Sequence, residues 1–117
     1  MNAPDQPTRL LFICSQNRLR SPTAESLFNG SARYVARSAG TGIDAHTTVT
    51  AGHIGWADII FCMEPMHAAY LKSLFPRALR GKRLVCLEIP DEFVFMDPAL
   101  IAILREKLAA HIAPPGS

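Results

Sequence analysis

Leu10-Leu11-Phe12-Ile13-Cys14-Ser15-Gln16-Asn17-Arg18-Leu19-Arg20-Ser21-Pro22, or LLFICSQNRLRSP, sets an unbroken apolar run against an abrupt polar segment that ends in Ser-Pro. A short apolar run closed by polar residues reads as a strand covered on both faces, here Arg9 to Cys14. Ser21 reads as a helix N-cap, with Pro22 at the first helical position where its missing N–H costs nothing. The strand therefore ends on a thiol, and a guanidinium follows six positions later in the loop that leads into a helix.

The rest of the chain repeats the alternation. Ala24, Leu27 and Phe28 share one helical face, and Asn29-Gly30 stops that helix. Tyr34 to Ser38 reads as a weaker strand ending in the turn-rich Ala39-Gly40-Thr41-Gly42, and Thr50 to Trp56 as a short helix. ADIIFCM (57–63) is a second buried strand, Glu64 to Phe75 a helix closed by Pro76, RLVCLEI (83–89) a further strand, and Pro98 to His111 a final amphipathic helix. Strands alternating with helices predict an α/β fold: a small, doubly wound, four-stranded parallel sheet with helices on both faces and a phosphate-binding loop after the first strand. One domain over 1–112 is expected, with 113–117 as a disordered tail.

Composition narrows the function classes. The 117 residues, 49% of them hydrophobic, suffice for one core. The formal charge of +2 is far below that of a dedicated nucleic-acid binder, so no nucleic acid partner is expected. No apolar run reaches the ~20 residues of a membrane span, and MNAPDQPTR lacks a signal-peptide layout, so a soluble, cytoplasmic protein without a membrane partner is expected. Three cysteines without C-x-x-C spacing give neither a disulfide framework nor a zinc site. Neither a metal nor a cofactor is expected.

A loop between a strand's carboxyl end and a helix N-terminus turns several amide N–H groups inward, where the helix dipole adds about half a positive charge. There the thiolate of Cys14 is favoured, and the Ser21 hydroxyl is placed to donate to it. Arg20 supplies a planar fork that grips two oxygens of one phosphoryl group. The amides of Ser15, Gln16, Asn17, Arg18, Leu19, Arg20 and Ser21 would complete the cradle, inorganic phosphate or sulfate being its simplest occupant. The arrangement fits in-line attack by Cys14 on a phosphate monoester and a phosphocysteine intermediate.

LLFICSQNRLRSPTAE resembles the N-terminal signature of the low-molecular-weight protein tyrosine phosphatases, and the similarity continues in RSAGT (37–41) and ADIIFCME (57–64). The resemblance covers the first half of the chain well and the rest loosely, and is nearest to a short branch of predicted phosphatases. It implies Cys14 as nucleophile, Arg20 as phosphate clamp, Ser21 as thiolate stabiliser, Asn17 as a loop-shaping residue with unusual backbone angles, and Ser38 in the adjoining structural loop. It implies a phosphorylated protein or a small phosphoester as substrate, with phosphotyrosine leading. The chain departs from the pattern at Gln16, where a glycine is common, and at Leu19, where many members carry a second cysteine. No aromatic occupies Thr41 to Thr47, which leaves His46 and Phe93 as candidate substrate-wall residues.

The proton donor to the leaving group is expected from EIPDEFVFMDPAL (88–100). Family members present this acid as Asp-Pro followed by an aromatic, which would select Asp97. Asp97-Pro98 reads instead as an N-cap and first turn, because Leu100, Ile101 and Leu104 follow at helical spacing. Asp91, just past a strand at the carboxyl end of the sheet, is therefore the expected general acid. Two rivals remain: an arsenate reductase-like enzyme, disfavoured because Cys62 and Cys86 lie in buried strands, and a non-catalytic phosphate- or phosphoprotein-binding module. The histidines show no metal spacing and read mostly as surface or packing residues. Arg77, Arg80, Lys82 and Arg83 read as a solvated turn, and Trp56 as a packing residue.

Overall fold

In Leu10–Cys14 neither parity of side chains can face water, so this strand has to lie inside a sheet with cover on both sides. A computed structural model describes residues 6–114 and has this arrangement. Strand β1 (Thr8–Cys14) is central in a four-stranded sheet of order β2-β1-β3-β4. It pairs in parallel with β2 (Tyr34–Gly40) from Thr8↔Tyr34 to Cys14↔Gly40, and with β3 (Ile59–Cys62) from Leu10↔Ile59 to Ile13↔Cys62. Strand β4 (Arg83–Cys86) pairs in parallel with β3.

The alternation of β1 divides the core in two. Leu10, Phe12 and Cys14 face the side covered by α1 (Arg20–Ser26) and α4 (Pro98–Ala109), among Ala24, Phe28, Leu100, Leu104 and Leu108. Leu11 and Ile13 face Ile54 of α2 (Ala51–Trp56) and Leu71 of α3 (Pro65–Leu74). From β1 the chain goes first to one neighbour and then to the other, so the strand order reverses beside β1. A crevice opens at the carboxyl ends of β1 and β3.

The expected elements are present, with shifted ends. Helix α1 begins at Arg20 with Leu19 at the N-cap, so Ser21 is not a cap. Its hydroxyl is bonded inside the preceding loop, to Cys14 Sγ and to Asn17 Nδ2. Strand β2 runs through Ala39 and Gly40, which were expected to turn. Strand β4 ends early, at Cys86, although Leu87 and Ile89 still donate to the Cys62 and Met63 carbonyls. Glu88 between them has φ 55°, which a regular strand cannot contain. Ala113, at the start of the expected tail, accepts from the Tyr34 hydroxyl. The readings of residues 1–5 and 115–117 lie outside the described residues. No helix among the described residues is long and apolar enough to cross a membrane.

Candidate active site

Beyond Cys14 the chain folds into a tight loop that Asn17 makes possible. Asn17 has φ 56°, a left-handed conformation that asparagine tolerates better than most residues. This turn aims the Asn17 N–H at Cys14 Sγ, 3.2 Å away, while Asn17 Nδ2 donates to Ser21 Oγ at 2.9 Å. Ser21 Oγ lies 2.9 Å from the same sulfur. Since Ser21 already accepts from Asn17, its own proton is free to go to a thiolate, and sequence reasoning had placed both residues in the loop.

The carbonyls of the loop are held from behind. Thr41 N donates to Cys14 O, Gly42 N to Ser15 O and His46 N to Gln16 O, at 3.0, 2.8 and 2.9 Å. With its carbonyls turned that way, the loop leaves the amides of Arg18, Leu19 and Arg20 without a bonding partner among the described residues. Gly40 is required beneath it, because a Cβ there would stand 2.6 Å from Ser15 O and 3.0 Å from Asn17 N.

Arg20 is only 2% exposed and is fixed from three sides. Nη1 donates to Ile89 O at 2.7 Å and pairs with Glu64 Oε1 at 3.0 Å, and Nε lies 3.8 Å from Asp91 Oδ1. A guanidinium this buried needs such partners to offset its lost hydration. Asp91 itself is 62% exposed, so its carboxylate can leave Arg20 and turn to a ligand at little cost. Cys14, Gln16, Arg18, Leu19, Arg20 and Asp91 line one cavity of about 180 Å³ over the sulfur.

Other expected site residues lie elsewhere. His46 is exposed and lines a second depression, of about 420 Å³, with Asn17, Arg37 and His53, so it does not wall the cavity over Cys14. Its contribution to the loop is its backbone N–H. Phe93 is half-buried and packs against the α1/α4 core, and it is not among the residues that line the cavity over Cys14. Asp97 caps α4, accepting from Ala99 N at 3.0 Å.

Two residues of the site were not anticipated, Glu64 and His67. Both follow β3, the strand beside β1 at the reversal of strand order where open α/β sheets bind ligands, and only the sheet order brings them there. His67 is not a surface histidine: it is 1% exposed, takes the Glu64 N–H on Nδ1 at 3.0 Å and faces Ser15 Oγ with Nε2 at 2.9 Å. Burial, and then the Arg20 guanidinium, lower its pKa from 6.5 to about 4 against the opposing pull of Glu64 and Asp91. An unfolded chain takes up a proton that the folded one refuses between those values. The stability from a neutral His67 is therefore complete above about 6.5 and is lost as the pH falls through 4. Thermal melts across this range should fall less steeply for His67→Asn than for the wild type, and equal slopes would contradict the assignment.

The other thiols are poorly placed for a relay. Cys62 points to the α2/α3 side of the sheet while Cys14 points to the α1/α4 side. Burial, and secondarily Cys86, push the Cys62 thiol up to about 12, with Lys72 opposing. Peroxide should therefore drive Cys14 to sulfinic or sulfonic acid with poor recovery by thiols, as read by mass spectrometry. A disulfide from Cys14 to Cys62 or Cys86 would contradict this.

No protein-family model and no curated protein matches the sequence. Solved structures do. The tyrosine phosphatase Wzb from Escherichia coli K30, in complex with phosphate, matches at TM-score 0.69 and 21% identity over 90% of this chain and 96% of that one. Wzb from Vibrio vulnificus, in complex with benzylphosphonate, matches at 0.71 and 21% over 90% and 97%. The YwlE arginine phosphatase from Geobacillus stearothermophilus matches at 0.65 and 23% over 88% and 87%. With a parallel sheet of order β2-β1-β3-β4 and its thiol loop between β1 and α1, the chain has the fold of the low-molecular-weight tyrosine phosphatases.

Proposed function

We propose that this protein is a metal-independent, cysteine-dependent phosphatase acting on phosphate monoesters through a phosphocysteine intermediate. One observation carries the reading: Cys14 Sγ is held by Ser21 Oγ and Asn17 N at the floor of a cavity that Arg20 and Asp91 also line. The likeness to structures described as tyrosine and arginine phosphatases supports it.

In this reading the phosphoryl group lies against the loop amides with two oxygens on Arg20, whose charge and the helix dipole stabilise the transition state. The Cys14 thiolate attacks phosphorus, an S–P bond forms as the P–O bond breaks, and the leaving oxygen takes the proton of Asp91. A water then attacks the phosphocysteine while the Asp91 carboxylate takes its proton, and inorganic phosphate departs with the thiolate restored. A phosphorylated protein, phosphotyrosine foremost, is the proposed substrate, with a small phosphoester second. The exposed side chain of Leu19, which lines the cavity, and that of Ile43, next to the Asp44 carbonyl that Arg18 holds, support a macromolecular partner, since they offer apolar surface beside the loop. Three free cysteines support a reducing, cytoplasmic setting.

Hydrolysis of an aryl phosphate with EDTA present is the test. Turnover by the wild type that vanishes in Cys14→Ser is expected. Phosphate binding without turnover would instead favour the binding module, and arsenate reduction through a cysteine pair the reductase.

A further inference from the structure

Among the described residues His67 is the histidine most deeply buried, and the chemistry above gives it no task. Its two ring nitrogens are nevertheless both engaged. Nδ1 accepts the Glu64 N–H at 3.0 Å, so it carries the lone pair and the ring proton sits on Nε2. Nε2–H then donates to Ser15 Oγ, 2.9 Å away. Glu64, whose amide the ring holds, stands at the N-cap of α3 and puts Oε1 3.0 Å from Arg20 Nη1. A continuous path thus runs from Ser15, next to the nucleophile, through His67 and Glu64 to the arginine. It joins the loop after β1 to the loop after β3, which no backbone hydrogen bond between Ser15 and α3 does.

We propose that His67 is a positioning residue: it ties Ser15 to the start of α3 and, through Glu64, fixes the Arg20 guanidinium in register with Cys14. This rests on the phosphatase reading. An apolar side chain at 67 would leave the Glu64 amide and the Ser15 hydroxyl without their partner and let the two loops drift, and small displacements of a clamp cost rate steeply.

A double-mutant cycle on aryl phosphate hydrolysis tests it, with inhibition by inorganic phosphate measured alongside. Ser15→Ala removes one end of the Ser15–His67 bond. His67→Asn removes the other while leaving an Oδ1 that accepts from the Glu64 amide. Each single variant should lose kcat/KM by roughly fivefold, the equivalent of one hydrogen bond, and the double variant should lose no more. His67→Leu cuts both ends and should lose about 10²-fold, with weaker phosphate inhibition because Arg20 is released. Should His67→Leu fail to fold, the cycle decides alone. Losses that multiply in the double variant, or wild-type kcat/KM in both single variants, would overturn the proposal while leaving the phosphatase reading intact. A wild type without Cys14-dependent turnover would overturn both.

Discussion

Cys14→Ser is expected to abolish turnover of an aryl phosphate and still to bind phosphate or vanadate. The hydroxyl is a far weaker nucleophile than the thiolate it replaces, whereas the groups that hold the anion are unchanged. Arg20 keeps its bonds to Ile89 O and Glu64, and Asn17 keeps its left-handed turn. Arg20→Ala should behave differently, losing both binding and rate by ~10² or more. It should also lower the melting temperature, because Glu64 would face a half-buried site without its cation. Arg20→Lys retains the charge but not the fork, and should recover the melting temperature better than the rate. Isothermal titration with phosphate and steady-state kinetics separate these outcomes. Full activity in Cys14→Ser would end the covalent mechanism.

Asp91→Asn should cut kcat/KM, which reports the formation of the phosphocysteine, by ~10² or more on an alkyl phosphate, whose leaving oxygen needs a proton, and far less on a nitrophenyl phosphate, whose leaving group does not. Asp91 lines the cavity over Cys14 and lies 3.8 Å from Arg20 Nε, so its carboxylate is already at the mouth. Asp97 is committed to the first turn of α4 through Ala99 N. Asp97→Asn should lower stability by at most about 1 kcal/mol, the scale of an N-cap, with little change in rate. The opposite pattern, a leaving-group-dependent loss in Asp97→Asn, would move the role to Asp97.

What could be read from the sequence was local. The run from Leu10 to Pro22 identifies the central strand, the loop and the following helix, because apolar continuity, a polar break and Ser-Pro all act within a few residues. Asp97 was legible as a cap for the same reason. Of the two roles read for Ser21, donor to Cys14 and N-cap, only the first is present, because a hydroxyl before a helix serves either and the fold of the loop decides between them. Glu64 and His67 were invisible for a different reason: their partners, Arg20 and Ser15, are more than forty residues away in sequence and meet them only because β3 lies beside β1. Phe93 and His46 do not line the cavity over Cys14, because the side on which an aromatic or an imidazole packs depends on neighbours that one segment's pattern does not name. Glu88, with its positive φ, ended β4 where the apolar pattern alone would have continued it.

The covalent intermediate is the most direct object of measurement. Asp91→Asn, mixed with a nitrophenyl phosphate and quenched in acid within milliseconds, should carry one added phosphoryl group on the peptide containing Cys14. The variant slows the hydrolysis of the intermediate while the good leaving group still allows its formation. A burst of nitrophenol matched by phosphorylated Cys14 is the predicted result. Turnover with Cys14 unmodified at every quench time, or a phosphoryl group found on another residue, would contradict the account.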